Sequence, residues 1–266
     1  MRQTIDGLSV DITGPDDGKP VLFGHSLLLD GRMWEAQVAD LSRTFRCINI
    51  DFRGHGQSTV PPRGFTMADQ AEDYRKVMDH LGIASAPIVG LSMGAMAAMH
   101  LAVAHPARVS GLVLMNTSAE VEPPRARAKE TALAVMARLF GLREFILKSV
   151  EPLMFGERFR AERPEVVAHW SAIMGSLDKK AVYRAVTMVL SRPAVGPRLA
   201  NVRVPTLVIA GDQDNAAPPK LGQQIAETIP GAEHVLLPRT GHVSTVEEPE
   251  VTTKLIRSFL EKHAPR

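Results

Sequence analysis

Short apolar runs alternate with longer segments of helical spacing along most of the chain. The short runs, rich in Val, Ile and Leu, predict buried parallel strands at 20–24, 45–51, 87–91, 111–116, 205–211 and 234–237. The longer segments predict helices at 33–41, 67–81, 93–105, 220–229 and 249–262. This alternation indicates an α/β fold, a mostly parallel central sheet with helices on both faces.

Two segments depart from the alternation. Residues 4–13 set Asp6-Gly7 between two short alternating runs, which predicts an antiparallel hairpin at the edge of the sheet. Residues 119–198 contain no convincing strand and consist of helical segments separated by glycines and prolines. We therefore predict a core domain of residues 1–118 and 199–266, interrupted by a helical cap of residues 119–198.

The composition favours a globular protein that acts on small molecules. Of its 266 residues 45% are hydrophobic, enough to bury the core of one α/β domain. The 31 basic and 29 acidic residues give a net charge of +2, and no block of like charges is long enough to indicate a nucleic-acid surface. We expect a small-molecule substrate and no nucleic-acid partner.

The cysteine content and the hydropathy bear on where in the cell the protein acts. Cys47 is the only cysteine, so it cannot form an internal disulfide, and its place in an apolar run predicts a buried thiol. The amino terminus lacks the apolar core of a signal peptide, and no run of about 18 apolar residues predicts a membrane span. A cytoplasmic protein without a membrane partner is expected, and assembly into a homo-oligomer stays open.

The strongest chemical signal is Gly90-Leu91-Ser92-Met93-Gly94. This G-x-S-x-G follows a predicted strand and precedes a predicted helix, which is the context of a nucleophile elbow. The turn strains the backbone, and side chains at Gly90 and Gly94 would collide across it. Such a turn holds Ser92 out of the sheet, exposed, while the helix that begins at Met93 points its N–H groups at a developing oxyanion.

A serine nucleophile needs a base and an acid that orients the base. Asp214 follows the predicted strand at 205–211, and His242 follows the strand at 234–237. Both fall in loops at the carboxyl ends of strands, where the ligand crevice of an open α/β sheet lies. The chain order Ser, Asp, His matches that of hydrolases with this elbow. Ser92, His242 and Asp214 are therefore the predicted nucleophile, base and acid.

Three other residues compete for these roles. Asp212 lies beside the predicted acid, and we expect it to stabilise the turn. His55 lies inside the Gly-rich turn 51–58, which we predict to be structural. His25 follows a predicted strand at the place where such folds supply an oxyanion N–H, and its imidazole is expected to brace that loop.

Together these motifs resemble the α/β-hydrolase fold superfamily, and within it the small bacterial aryl esterases and 3-oxoadipate enol-lactonases. The likeness rests on the segment 25–34, the turn Asp51-x-Arg53-Gly54-x-Gly56-x-Ser58, the elbow at 90–94, and Gly241-His242 followed by Glu248-Pro249. By that resemblance the fourth residue of Gly211-x-x-Asp214 carries the acid, and the backbone N–H groups of Leu27 and Met93 form the oxyanion hole. One departure is His25-Ser26, where many members have His-Gly.

The resemblance implies a serine hydrolase that cleaves carboxylic esters or lactones of small molecules through an acyl-enzyme. Ser92 argues against haloalkane dehalogenases and epoxide hydrolases, which place Asp at the elbow. Carbon–carbon bond hydrolases, perhydrolases and a hydrolase-like ligand-binding protein stay open as alternatives. No cofactor or metal is expected, because the sequence has neither a His pair at ligand spacing beside a carboxylate nor a phosphate-binding glycine motif.

By the same resemblance, the cap covers the crevice and selects the substrate. Some of its apolar residues would line the pocket, although most are expected to seal the cap against the sheet. The candidates are Leu133, Met136, Phe140, Phe145, Met154, Trp170, Ile173 and Met174. One or two cap arginines that point inward would grip the carboxylate of an enol-lactone diacid, whereas a solvated face is the plainer expectation. The cap arginines include Arg125, Arg127, Arg138, Arg143, Arg158, Arg160, Arg163, Arg184 and Arg192.

Overall fold

An eight-stranded sheet lies at the centre of the computed structural model, which describes residues 1–263. Its strands lie in the order β1-β2-β4-β3-β5-β6-β7-β8. They are β1 Arg2–Ile5, β2 Leu8–Thr13, β3 Lys19–Gly24, β4 Phe45–Asp51, β5 Ala86–Leu91, β6 Val109–Met115, β7 Thr206–Gly211 and β8 Glu233–Leu237. The pairs β1–β2 and β2–β4 are antiparallel and the other pairs are parallel, so the predicted mostly parallel sheet is confirmed.

Helices connect the strands and cover the sheet. Those outside the segment between β6 and β7 are α1 Glu35–Leu41, α2 Met67–His80, α3 Met93–Ala104, α10 Pro219–Thr228, α11 Ser244–Glu247 and α12 Pro249–His263. Those between β6 and β7 are α4 Pro124–Phe140, α5 Glu144–Met154, α6 Glu157–Glu162, α7 Pro164–Gly175, α8 Lys179–Ser191 and α9 Gly196–Leu199. Across residues 1–263, no helix is both long and apolar enough to cross a bilayer.

The amino-terminal hairpin turns at Asp6 and Gly7, whose φ angles are 50° and 80°. Two successive positive φ angles match the twist of the flanking strands, and glycine adopts its angle without strain. β1 has a neighbour on one side only, so the predicted hairpin lies at the sheet edge.

Alternate residues of the inner strands point to opposite faces and build two apolar layers. On one face Ile48 and Ile88 pack with residues of α2 and α3. On the other face Cys47 and Val89 pack with residues of α1 and α12, so the predicted helices on both faces are confirmed. Cys47 has no exposed surface, as expected, and burial raises the pKa of its thiol to about 12.

β8 departs from the prediction that all the apolar runs are buried strands. It pairs with β7 alone at one end of the sheet, and Leu236 is 51% exposed. In the sequence, the apolar run of β8 resembles that of an inner strand. Its position at the end of the sheet, which the run itself does not reveal, leaves it partly exposed.

The segment between β6 and β7 is helical throughout. Residues 116–205, all of which the structure describes, contain six helices and no strand. α4 packs along α8, and α5 packs along α7. Ile146, Val150 and Met154 of α5 join the apolar layer on one face of the sheet. The helical insertion is therefore present, while its division from the core as a domain of residues 119–198 stays a prediction.

Candidate active site

Ser92 stands in a strained turn between β5 and α3. Its φ of 52° and ψ of −112° lie in a region that L-residues rarely adopt. A Cβ on Gly90 would lie 2.5 Å from the backbone N of Ala95, and a Cβ on Gly94 would lie 2.2 Å from the carbonyl O of Gly24. Backbone atoms cannot rotate away, so both flanking positions require glycine, for the steric reason that the motif predicted.

Residue Ser92 is only 9% exposed, whereas the sequence predicted an exposed hydroxyl. The helical insertion lies against the neighbouring loop of His242. The N–H of Val243 donates to the carbonyl of Met154 at 3.0 Å, and the N–H of Gly156 donates to Glu247 at 3.1 Å. These contacts hold the insertion against the loop of His242.

The backbone N–H groups of Leu27 and Met93 lack an acceptor within residues 1–263. Met93 is the first residue of α3, where helical N–H groups have no partner in the helix. The N–H of Gly94 donates to the carbonyl of His25 at 3.1 Å and so ties the loop of Leu27 to the turn of Ser92. These are the two N–H groups that the resemblance assigned to the oxyanion hole.

Asp214 and His242 form a buried pair, each side chain being only a few per cent exposed. The Nδ1 of His242 lies 2.8 Å and 3.0 Å from the two carboxylate oxygens. The N–H groups of Ala216 and Ala217 donate to the same carboxylate at 2.9 Å and 2.8 Å. Because an ionised carboxylate only accepts hydrogen bonds, the proton lies on Nδ1 and the lone pair on Nε2.

Asp212, the other aspartate of this loop, has a different contact. Its Oδ1 accepts from the N–H of Thr240 at 3.2 Å. It therefore stabilises the turn, and within the described residues it makes no hydrogen bond to His242. The structure brings Asp214, the predicted acid, to the imidazole.

Asn116 links the loops of the predicted acid and base, and no sequence motif pointed to it. It follows β6 with a φ of 46°, and it is 1% exposed. Its Nδ2 donates to Asp214 at 3.0 Å and to the carbonyl of Gly241 at 3.1 Å, while its Oδ1 accepts from Ser244 at 2.6 Å. An isolated Asn after a strand is usually a turn residue, so only the folded arrangement reveals this role.

The residues beside Asn116 hold the turn of Ser92. The N–H of Ser92 donates to the carbonyl of Met115 at 2.9 Å, and the hydroxyl of Thr117 donates to the carbonyl of Ser92 at 3.0 Å. The residues after β6 therefore link the loops of the predicted nucleophile, acid and base, which all lie at the carboxyl ends of the parallel strands. No hydrogen bond joins Ser92 Oγ to His242 in the part of the chain that the structure describes. Such bonds are often long before substrate binds.

His25 and His55 brace the neighbouring loops as neutral imidazoles. His25 Nε2 accepts from the N–H of Phe52 at 2.8 Å, and its Nδ1 donates to the carbonyl of Ser26 at 2.8 Å. His55 Nε2 accepts from the N–H of Leu28 at 3.4 Å. Burial lowers the pKa of His25 to about 4 and that of His55 to about 3. Their nitrogens serve loop contacts, which agrees with the structural roles expected for both.

The apolar cap residues named above have different surroundings. Leu133 and Met136 line a cavity of about 520 Å³ between α4 and α5 that reaches Asn215, the neighbour of Asp214. Phe140 and Phe145 are more than half exposed. The other four are buried, namely Met154, Trp170, Ile173 and Met174.

Two of the cap arginines named above, Arg192 and Arg158, bind protein groups. Arg192, 4% exposed, donates to the carboxylate of Glu122 at 2.8 Å and to the carbonyl of Val189 at 2.7 Å. Arg158 forms an ion pair with Glu248. Both charges are already compensated, so a grip on a substrate carboxylate stays a prediction.

Comparison with known proteins gives a consistent family. Residues 19–161 match the family model described as alpha/beta hydrolase fold, and residues 185–265 match one described as TAP-like protein. The chain is 30% identical over 258 residues to 3-oxoadipate enol-lactonase 1 of Acinetobacter baylyi, which covers 96% of this chain and 93% of that protein.

Two solved structures share the fold along nearly the whole chain. A thermophilic esterase from Thermogutta terrifontis, with malate bound, has a TM-score of 0.92 and 33% identity, covering 99% of this chain and 100% of that one. The enol-lactonase from Burkholderia xenovorans LB400 has a TM-score of 0.90 and 31% identity, covering 98% and 100%.

Proposed function

The chain belongs to the α/β-hydrolase fold family, and from that premise we propose that it is a serine hydrolase of small carboxylic esters or lactones. The observation that carries the proposal is the buried Asp214–His242 pair, which lies at the carboxyl ends of the parallel strands, as does the strained turn of Ser92. Relatives named as an enol-lactonase and an esterase support the substrate class.

In the proposed reaction His242 takes the Ser92 proton on Nε2 as the hydroxyl attacks the substrate carbonyl. Asp214 keeps the other ring proton on Nδ1 and stabilises the charge that develops on the ring. The N–H groups of Leu27 and Met93, which have no acceptor within residues 1–263, bind the oxyanion of the tetrahedral intermediate.

The intermediate collapses to an ester between Ser92 Oγ and the substrate acyl group. His242 returns the proton to the leaving alkoxide, which departs as the alcohol, or stays attached when the substrate is a lactone. The same imidazole then takes a proton from water as the water attacks the acyl carbonyl. Collapse of the second intermediate releases the acid and restores Ser92.

A fluorophosphonate probe and a panel of short-chain aryl esters, lactones and vinylogous diketones test the proposal. We expect the wild type to be labelled and to turn over esters or lactones, and Ser92→Ala to lose both while keeping the wild-type melting temperature. Labelling and full turnover in Ser92→Ala would overturn the assignment of the nucleophile. Turnover confined to diketones would replace ester hydrolysis by carbon–carbon cleavage, and ligand binding without any turnover would indicate a binding protein.

A further inference from the structure

The backbones of Gly241 and Gly156 touch where the insertion meets the loop of His242. A Cβ built on Gly241 would lie 2.1 Å from the backbone N of Gly156. A Cβ built on Gly156 would lie 3.0 Å from the backbone N of Gly241. Two N–H groups therefore point into one small space, and both need an acceptor there because neither is open to water.

Glu247 supplies that acceptor. Its Oε2 accepts from the N–H of Gly241 at 2.9 Å and from the N–H of Gly156 at 3.1 Å. Glu247 ends the short helix α11, whose own turn is closed by a hydrogen bond from its N–H to the carbonyl of Val243 at 3.0 Å. One carboxylate thus joins the residue before His242 to the junction between α5 and α6.

The peptide groups on both sides of Gly241 are held. Its N–H is bound by Glu247, and its carbonyl accepts from Asn116 Nδ2 at 3.1 Å. That carbonyl belongs to the peptide bond that enters His242, so the two contacts fix the direction from which the imidazole leaves the backbone. Asp214 fixes the ring itself through Nδ1.

The carboxyl group of Glu247 is buried, which costs it the solvation that water would provide. Glu247 is 6% exposed, and its Oε1 is buried without a partner within residues 1–263. Burial raises its pKa to about 7, although the backbone donors and the nearby His242 favour the ionised form. A buried acid that serves only to fill space would be costly compared with an apolar side chain, whereas one that satisfies two buried N–H groups is not.

We propose that Glu247 is a positioning residue for His242, holding the Gly241 peptide in place and coupling it to the insertion at Gly156. The inference rests on the proposed function, because it assigns His242 the role of base. It predicts that the acceptor at position 247, rather than the bulk of the side chain, sets the rate at which Ser92 is activated.

Two variants of similar side-chain volume separate the effect of the hydrogen-bond acceptor at position 247 from that of the size of the side chain. Glu247→Gln keeps an oxygen that accepts from both N–H groups, and Glu247→Met fills a similar volume without an acceptor. The adjacent Glu248→Gln is the matched control, because it breaks the ion pair with Arg158 of the insertion and leaves Gly241 untouched. The probe is a fluorophosphonate whose labelling rate is measured at 25 °C, together with kcat and KM on one aryl ester.

We expect Glu247→Met to be labelled on the order of 10–100-fold more slowly than the wild type, since small displacements of a base cost this much. Glu247→Gln should lie between the two, and Glu248→Gln should match the wild type in labelling and kcat. Equal rates in Glu247→Met and the wild type would overturn the proposal, and so would an equal loss in Glu248→Gln. A wild type that is not labelled at all would instead refute the proposed function.

Hydrogen exchange in the wild type and Glu247→Gln decides the matter if Glu247→Met does not fold. The amide protons of Gly241 and Gly156 should exchange with solvent at least about tenfold more slowly in the wild type than in Glu247→Gln, because a carboxylate is the stronger acceptor. Unprotected amides in the folded wild type would show that Glu247 does not hold them, and the proposal would fail.

Discussion

Replacing Asp214 by asparagine exchanges one carboxylate oxygen for an NH₂ group, and the surrounding donors decide which one. The N–H groups of Ala216 and Ala217 both point at Oδ1, at 2.9 Å and 2.8 Å. The carbonyl oxygen of the new amide must take the place of Oδ1, because an NH₂ group there would face the two N–H donors without any acceptor between them. The NH₂ group therefore takes the place of Oδ2.

At that place the new NH₂ group meets two further donors. Asn116 Nδ2 lies 3.0 Å from Oδ2, and His242 Nδ1 lies 2.8 Å from it. Nδ1 also lies 3.0 Å from Oδ1, but that oxygen already accepts from two N–H groups. The imidazole therefore relieves the conflict by moving its proton to Nε2, which leaves it unable to accept the proton of Ser92. Asn116 has no such escape, because its Oδ1 is already held by Ser244.

The two conflicts have different magnitudes and different readouts. The wrong tautomer should lower kcat by roughly 10²–10⁴, the upper value being that of the corresponding change in a serine protease. The buried donor left without an acceptor should lower the free energy of unfolding by about 1–3 kcal/mol. For a chain of this size that corresponds to a fall in Tm of a few degrees.

Asp212→Asn is the matched control. Within residues 1–263 its Oδ1 accepts only from the N–H of Thr240, at 3.2 Å, and an amide oxygen accepts this bond equally well. We expect near-normal kcat and Tm for this variant on the same aryl ester. A dead Asp212→Asn beside an active Asp214→Asn would refute the assignment of the acid, and unchanged Tm in Asp214→Asn would refute the account of Asn116.

Two further predictions concern stability. Burial lowers the pKa of His25, His55 and His100 to about 4, 3 and 4, so below pH 6.5 the unfolded chain binds protons that the folded chain does not. Each histidine should lower the free energy of unfolding by about 1.4 kcal/mol per pH unit as the pH falls towards 4. Glu247 has a raised pKa and so binds a proton more readily in the folded state, which offsets the effect of one histidine. A urea midpoint that stays constant from pH 6.5 to 4.5 would contradict this prediction. Gly94→Ala should destabilise the fold by about 3 kcal/mol or more, because its Cβ meets a carbonyl at 2.2 Å, whereas Gly64→Ala, with nothing within 4 Å, should melt like the wild type.

The sheet was predictable because its information is local. Runs such as 45–51 and 87–91 carry the strand signal in their own residues, and the structure has strands at Phe45–Asp51 and Ala86–Leu91. The elbow was predictable for a related reason, since the glycines around Ser92 are required by atoms within one turn.

Features that depend on distant segments were not predictable. Asn116 acts through loops nearly 100 residues or more away, at 214 and 241, and nothing in its own neighbourhood marks it. The sequence motif directed attention to Glu248, whereas the buried contact to the base loop is made by Glu247. The burial of Ser92 was likewise not apparent from the residues of its own turn.

The buried Cys47 makes the chain convenient for spectroscopic labelling. Its thiol has no exposed surface and its pKa is raised to about 12, so it stays protonated and unreactive towards maleimides at neutral pH. It is also the only cysteine of the 266 residues. Single cysteines placed at Phe145 in the insertion and at Val251 in α12, 54% and 45% exposed, would accept a fluorophore pair without removal of a native thiol. The distance between the two dyes would then report directly whether the insertion moves relative to the sheet when substrate enters.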